Sequence, residues 1–195
     1  MKSNVKILIG DIIQQCFRNK CSFKLIADTV VGIGGIECSG YYDGDDLIVA
    51  GGAGKKEWLD VLVHESCHMD QFEDKFKYWD ESEDALVLLD DWLLGKKKKV
   101  SNEKLKEAIK NIIMLELDCE KRSVKKMEKY KIPFNKGLYI QKANSYLFSY
   151  WATLRDKKWF KFPYENPKIY KKMPKYFLDT KYYFKNIDEW MLLYK

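Results

Sequence analysis

The chain has 195 residues, 46% of them hydrophobic and 15% aromatic, with a net charge of +6. That composition excludes a disordered or low-complexity protein and fits one globular domain over residues 1–195. The positive excess is carried mostly by lysine, with arginine only at Arg18, Arg122 and Arg155. Contact with nucleic acid is therefore permitted but not indicated.

In chain order, Val5, Ile9, Ile12, Ile13, Cys16 and Phe17 recur at helical spacing and predict an amphipathic helix over residues 3–19. Lys6 and Asp11 interrupt its apolar start and no small-residue cleavage site follows, so no signal peptide is expected. No run reaches the roughly 18 apolar residues of a membrane span. The expectation is a cytoplasmic protein without a membrane partner.

Residues 23–27, 36–42 and 47–50 read as strands, punctuated by Gly32, Gly34, Gly35 and the turn-like stretch 43–46. Residues 41–50 read as a hairpin, giving a small, mostly antiparallel sheet. Gly51, Gly52 and Gly54 follow. They lack the lysine–hydroxyl ending of a phosphate-binding loop and the spacing of a dinucleotide fingerprint, so they are read as a tight entry into a helix.

That helix, residues 58–71, is Trp-Leu-Asp-Val-Leu-Val-His-Glu-Ser-Cys-His-Met-Asp-Gln. Both histidines of the chain are here, in the pattern H-E-x-x-H. Residues four apart lie on one helical face, so His64 and His68 can offer two imidazole nitrogens to one metal ion. Glu65, rotated about a hundred degrees from His64, can reach a water at that ion without binding the ion itself. The apolar lead-in through Val61, Leu62 and Val63 predicts that this helix is buried.

Residues 74–84 read as a charged, aromatic loop, and residues 85–94 as a short apolar helix stopped by Gly95. Lys96 to Lys99 read as a solvated connector. Ser101 is the expected N-cap of a long helix reaching to about Tyr130. Glu116 and Glu120 share a side of that helix with Ile109, Ile112 and Met127. Carboxylates on a core-facing side are costly unless paired or metal-bound, which makes these two the best candidates for completing a metal site. Cys119 stands beside them.

Residues 135–154 predict another helix with Tyr139, Ala143, Tyr146, Leu147 and Tyr150 on one side. Tyr146 and Tyr150 are candidate donors to a developing oxyanion. From Trp159 the chain is rich in Lys, Tyr and Phe, with three prolines, and reads as an irregular wrap over core surface that ends in a short helix near residues 186–194. The expected parts are therefore 1–54 (helix and small sheet), 55–155 (helices with the metal site) and 156–195 (wrap). The five cysteines, Cys16, Cys21, Cys38, Cys67 and Cys119, match no disulfide framework and no C-x-x-C site, and are expected as thiols.

A catalytic zinc ion needs a third protein ligand, and no histidine remains to supply it, which leaves a carboxylate or a thiolate. Residues 61–70, Val-Leu-Val-His-Glu-Ser-Cys-His-Met-Asp, resemble the zincin metallopeptidases, departing at Asp70 where an apolar residue is usual. The metzincin pattern would need a glycine at Gln71 and a ligand at Asp74. Families with a third histidine four residues after the second would need it at Phe72. Glu116-Leu-Asp-Cys-Glu120 is similar to the gluzincin pattern. The chain also resembles small uncharacterised metallopeptidase-like proteins of phages and bacteria.

The resemblance implies an α+β, mainly helical zincin-like domain whose N-terminal sheet packs on the H-E-x-x-H helix. It implies a zinc peptidase with His64, His68 and Glu116 as ligands and Glu65 as general base. Glu120 would orient a ligand histidine or serve as the alternative third ligand. A peptide or protein substrate would pair with an edge strand, expected at residues 47–50. The competing expectation is a non-catalytic metal-binding or nucleic-acid-associated interaction protein.

Overall fold

A computed structural model describes residues 2–33, 36–52, 58–97, 99–160, 162–185 and 187–194. The protein is α+β and mainly helical. The elements are α1 (Lys2–Asn19), β1 (Ser22–Ile26), β2 (Val31–Ile33), β3 (Ile36–Cys38), β4 (Gly40–Tyr42), β5 (Asp46–Ala50), α2 (Trp58–Glu73), α3 (Tyr78–Leu93), α4 (Asn102–Lys129), α5 (Lys136–Asp156), α6 (Pro167–Tyr170) and α7 (Ile187–Met191). Short 3₁₀ turns lie at Pro163–Glu165, Thr180–Tyr183 and Leu192–Tyr194. Contacts divide the chain into one unit of Met1–Phe76 with Lys121–Pro133, and another of Lys77–Glu120 with Phe134–Lys195. Among the described residues, no helix is long and apolar enough to cross a membrane.

In the first unit, α1 closes with Lys20 in the left-handed region (φ 58°) and the Cys21 amide donating to the Cys16 carbonyl at 2.9 Å. This six-to-one closure brings the side chains on either side of the turn together. They are Cys16 and Cys21, both buried. Burial, then the hydrogen bond with Cys21, push the Cys16 thiol up to about 12.

The three-stranded sheet has the order β1-β5-β4. β5 pairs in parallel with β1, from Ser22–Asp46 to Ile26–Ala50, and antiparallel with β4, from Gly40–Val49 to Tyr42–Leu47. The β4–β5 hairpin is the expected one. Its turn has Gly44 at φ 99°, and the Asp43 carboxylate accepts from the amides of Asp45 and Asp46.

Two expectations are corrected here. The longest pairing is parallel, so the sheet is mixed. Residues 47–50 form the centre strand and not an edge, because β1 and β4 occupy both sides of β5. Leu47, Val49 and Ala50 are accordingly fully buried. β2 and β3 form a separate antiparallel pair.

β4 and β5 pack against α2. Gly52 follows β5, and an added Cβ there would lie 2.6 Å from the Asp28 carbonyl oxygen, so only glycine fits. The entry into α2 itself, residues 53–57, lies outside the described residues.

In the second unit, α3 begins at Tyr78, which corrects the expected loop over residues 74–84. Asp80 and Glu81 sit in its first turn, where the helix dipole favours carboxylates, and buried Ser82 donates to the Asn111 carbonyl at 2.9 Å. The Ser101 hydroxyl accepts from the Lys104 amide, capping α4, and Asn135 accepts from Leu138, capping α5.

The apolar core of this unit is built on Leu89, Ile109, Ile112, Ile113, Leu117, Leu147 and Phe148. The C-terminal stretch covers it, as expected: Phe148 stacks on Tyr183 and Trp190 at centroid distances of 5.3 and 5.0 Å. α5 holds that stretch by polar groups aimed at its backbone. Gln141 donates to Lys171 and Met173, Asn144 to Pro174 and Tyr176, and Trp151 to Tyr183. An irregular backbone cannot satisfy its own carbonyls, so side chains of the neighbouring helix do it.

Candidate metal centre

The three motif residues lie on α2, within the first unit. The four-residue spacing stacks the imidazoles as expected. The Nε2 atoms of His64 and His68 are 3.1 Å apart, with ring planes at 83° and centroids at 4.7 Å. Two nitrogens bound to one tetrahedral zinc ion at about 2.0–2.1 Å stand about 3.3 Å apart. The pair therefore fits a shared ion. Without a cation, one of the two facing nitrogens must carry a proton to relieve lone-pair repulsion.

The other nitrogen of His68 settles which lone pair faces the site. His68 Nδ1 is 2.9 Å from the Gln71 Oε1, inside the protein, and Gln71 is fully buried. An amide oxygen only accepts, so Nδ1 carries a proton, and in the neutral imidazole Nε2 presents its lone pair. Gln71 escaped the sequence reading, which treated it only as the place of a missing glycine. Its signal was the spacing: it follows His68 by three residues and so lies on the same helical face.

Glu65 is buried on the same helix, and its Cγ is 3.2 Å from where a side chain on Gly40 would begin. That imaginary Cβ would also be 2.7 Å from Val61 Cγ1 and 2.9 Å from the Ile48 carbonyl oxygen. Only a glycine lets the edge strand β4 approach this closely to the turn of α2 that carries Glu65.

Asp70, the departure from the resembled pattern, has a local reason. The Lys126 ammonium lies 2.7 Å from Asp70 Oδ2 and donates to the Ser66 carbonyl (3.1 Å) and hydroxyl (2.9 Å). Gln15 donates to the other Asp70 oxygen at 2.9 Å. All three protons of a nearly buried ammonium are thus used, which an apolar residue at position 70 would prevent. Asp74 is exposed and paired with Arg122 at 2.5 Å, a surface ion pair.

The remaining candidates belong to the second unit. Glu116 and Glu120 are both buried on α4, as their place on the apolar side predicted. Tyr139 donates to Glu120 Oε2 at 2.6 Å. The hydroxyls of Tyr146 and Tyr150 are 2.6 Å apart, so one donates to the other. Burial, followed by the charge of Glu116, pushes the Tyr146 phenol well above its ordinary value, keeping its proton in place. Comparison with family models, curated proteins and solved structures finds no match for this chain.

Proposed function

We propose that this protein is a zinc-dependent peptidase. The observation that carries the reading is the pair of Nε2 atoms 3.1 Å apart, one of them locked as a lone-pair donor by Gln71, with a buried carboxylate next to His64. Histidine nitrogens with a carboxylate neighbour suit zinc over the harder divalent ions. Bound there, zinc would acidify a water at its open position and polarise a carbonyl.

The chain's own residues would do the rest. His64 and His68 bind, and Gln71 orients His68. Glu65 accepts a proton from the attacking water and returns it to the leaving nitrogen. The third ligand is proposed from α4. Two buried residues suit it: Glu116, by the resemblance, and Cys119, whose thiolate is a zinc ligand in its own right. Glu120 is the proposed orienting carboxylate or alternative ligand, and Tyr146 with Tyr150 the proposed oxyanion donors. An extended peptide or protein substrate would pair with the edge strand β4, close to Glu65.

The test is metal content together with digestion of a peptide library by the wild type and by Glu65→Gln. The proposal expects about one zinc per chain in both, and hydrolysis in the wild type alone. Metal without hydrolysis in the wild type would favour a non-catalytic metal-binding protein. Full activity of Glu65→Gln would remove Glu65 from its role. Cobalt replacement separates the third ligands: a thiolate charge-transfer band that disappears in Cys119→Ser assigns the cysteine, and its absence favours Glu116.

A further inference from the structure

The first unit also holds a groove of about 510 Å³, floored by Leu8 and Ile12 of α1 and walled by the last turns of α2 and α4. That volume is within the range of small-molecule sites. Its charged residues separate into those already engaged and those not.

All three carboxylates are engaged. Asp11 accepts from Tyr130 at 2.6 Å, Asp70 from Lys126 and Gln15, and Glu73 from Gln15 and Asn19. Of the cations, Lys126 is saturated and Arg122 pairs with Asp74. Arg18 from α1, and Lys125 and Lys129 from α4, meet no carboxylate among the described residues. Lys129 lies over the Tyr130 ring, 5.3 Å from its centroid. Lys125 and Lys129 are one helical turn apart, so they reach the groove from the same face. Three positive charges thus border one concavity whose negative charges are already committed.

We propose that this groove binds a compact phosphate-bearing anion: a di- or triphosphate chain, either free or as part of a nucleotide. A guanidinium and two ammonium groups match several closely spaced phosphate oxygens. The patch is confined to one concavity that three engaged carboxylates also line. A nucleic-acid backbone would instead need cations continuing along a track. The inference is independent of the metal site.

The test is calorimetric titration of the full chain with sodium tripolyphosphate, a nucleoside triphosphate and a single-stranded oligonucleotide at physiological salt. Two variants are compared with the wild type. Arg18→Ala/Lys125→Ala/Lys129→Ala empties the groove of its free charge. Lys96→Ala/Lys97→Ala/Lys181→Ala removes the same charge from exposed positions elsewhere. All these side chains are on the surface, and a thermal melt verifies folding. The expectation is saturable tripolyphosphate or nucleotide binding in the wild type and the control, weakened about tenfold or more in the groove variant. Tighter binding of the nucleotide assigns the nucleotide as source; equal binding assigns the phosphate chain alone. Three results would overturn the proposal: no saturable binding, equal weakening in both variants, or an oligonucleotide that binds more tightly than tripolyphosphate.

Discussion

His68 Nδ1 lies 2.9 Å from Gln71 Oε1, and His68 Nε2 lies 3.1 Å from His64 Nε2, so one imidazole links a buried amide to the face of a candidate ligand pair. An imidazole whose far nitrogen is held has one tautomer and one ring orientation. Removing the outer partner of a ligand histidine typically weakens metal binding about 10–100-fold. Gln71→Leu, close to isosteric at a fully buried position, is predicted to lose zinc affinity on that scale while keeping its helix content. Chelator competition and far-ultraviolet circular dichroism check both halves. Undiminished affinity would mean that something else sets the His68 ring.

Lys126 makes a second connection to α2, at Ser66 and Asp70, positions interleaved with the two histidines. Its three acceptors are a carbonyl, a hydroxyl and a carboxylate, and the Ser66 hydroxyl passes the chain on by donating to the Val63 carbonyl at 2.8 Å. Lys126→Met keeps the apolar stem and removes the ammonium. The predicted cost is about 2–3 kcal/mol, the scale of losing buried hydrogen bonds to a charged group. Urea unfolding would measure it. Lys126→Arg should recover part of the loss, because a guanidinium still reaches the carboxylate.

What the sequence made legible was what repeats locally. The helical period exposed α1, α2, α4 and α5. The four-residue spacing of His64 and His68 anticipated their convergence, and the apolar side of α4 anticipated the burial of Glu116 and Glu120. The hairpin over residues 41–50 was readable because its strands are neighbours. The β1–β5 pairing was not, since it joins segments some twenty residues apart and no local pattern records it. The second half of α3 was legible as the helix over residues 85–94, but its first turns, residues 78–84, were misread as loop because they are acidic and aromatic, and composition there outweighed the dipole logic that makes an acidic first turn favourable. Lys126 and Gly40 matter through residues far away in sequence, so neither carried a signal by itself.

Gly40 gives a sharp steric prediction. A Cβ at this position would stand 2.7 Å from Val61 Cγ1 and 2.9 Å from the Ile48 carbonyl oxygen. The side chain can turn, but the backbone oxygen belongs to the paired strand β5 and cannot retreat without breaking the ladder. Gly40→Ala is expected to lose about 1–3 kcal/mol, the usual cost of overpacking. Gly10→Ala, where nothing lies within 4 Å of the added atom, should be neutral or stabilising in its helix. Thermal melts of the two variants side by side test the contrast, and an equal effect at both sites would refute the steric account.

Asp90 provides a prediction with a pH sign. Burial raises its carboxyl above the ordinary carboxylate value, and Asp91 adds to that, while the Trp159 indole N–H, 3.0 Å from Oδ1, and Lys96 oppose it. The folded state therefore holds the Asp90 proton more tightly than the unfolded chain does. Its contribution to stability is complete below the unfolded value of about 3.9 and is lost as pH rises through the folded value. At neutral pH the protein carries a charged, partly buried carboxylate that, among the described residues, accepts a hydrogen bond from one indole alone. Asp90→Asn keeps the oxygen that accepts from Trp159 and removes the charge. Its Tm should exceed that of the wild type at pH 7, with the difference shrinking toward pH 4. A series of melts between those limits reads this out. A lower Tm for Asp90→Asn at pH 7 would mean that the charged acceptor gains more from Trp159 and Lys96 than burial takes away.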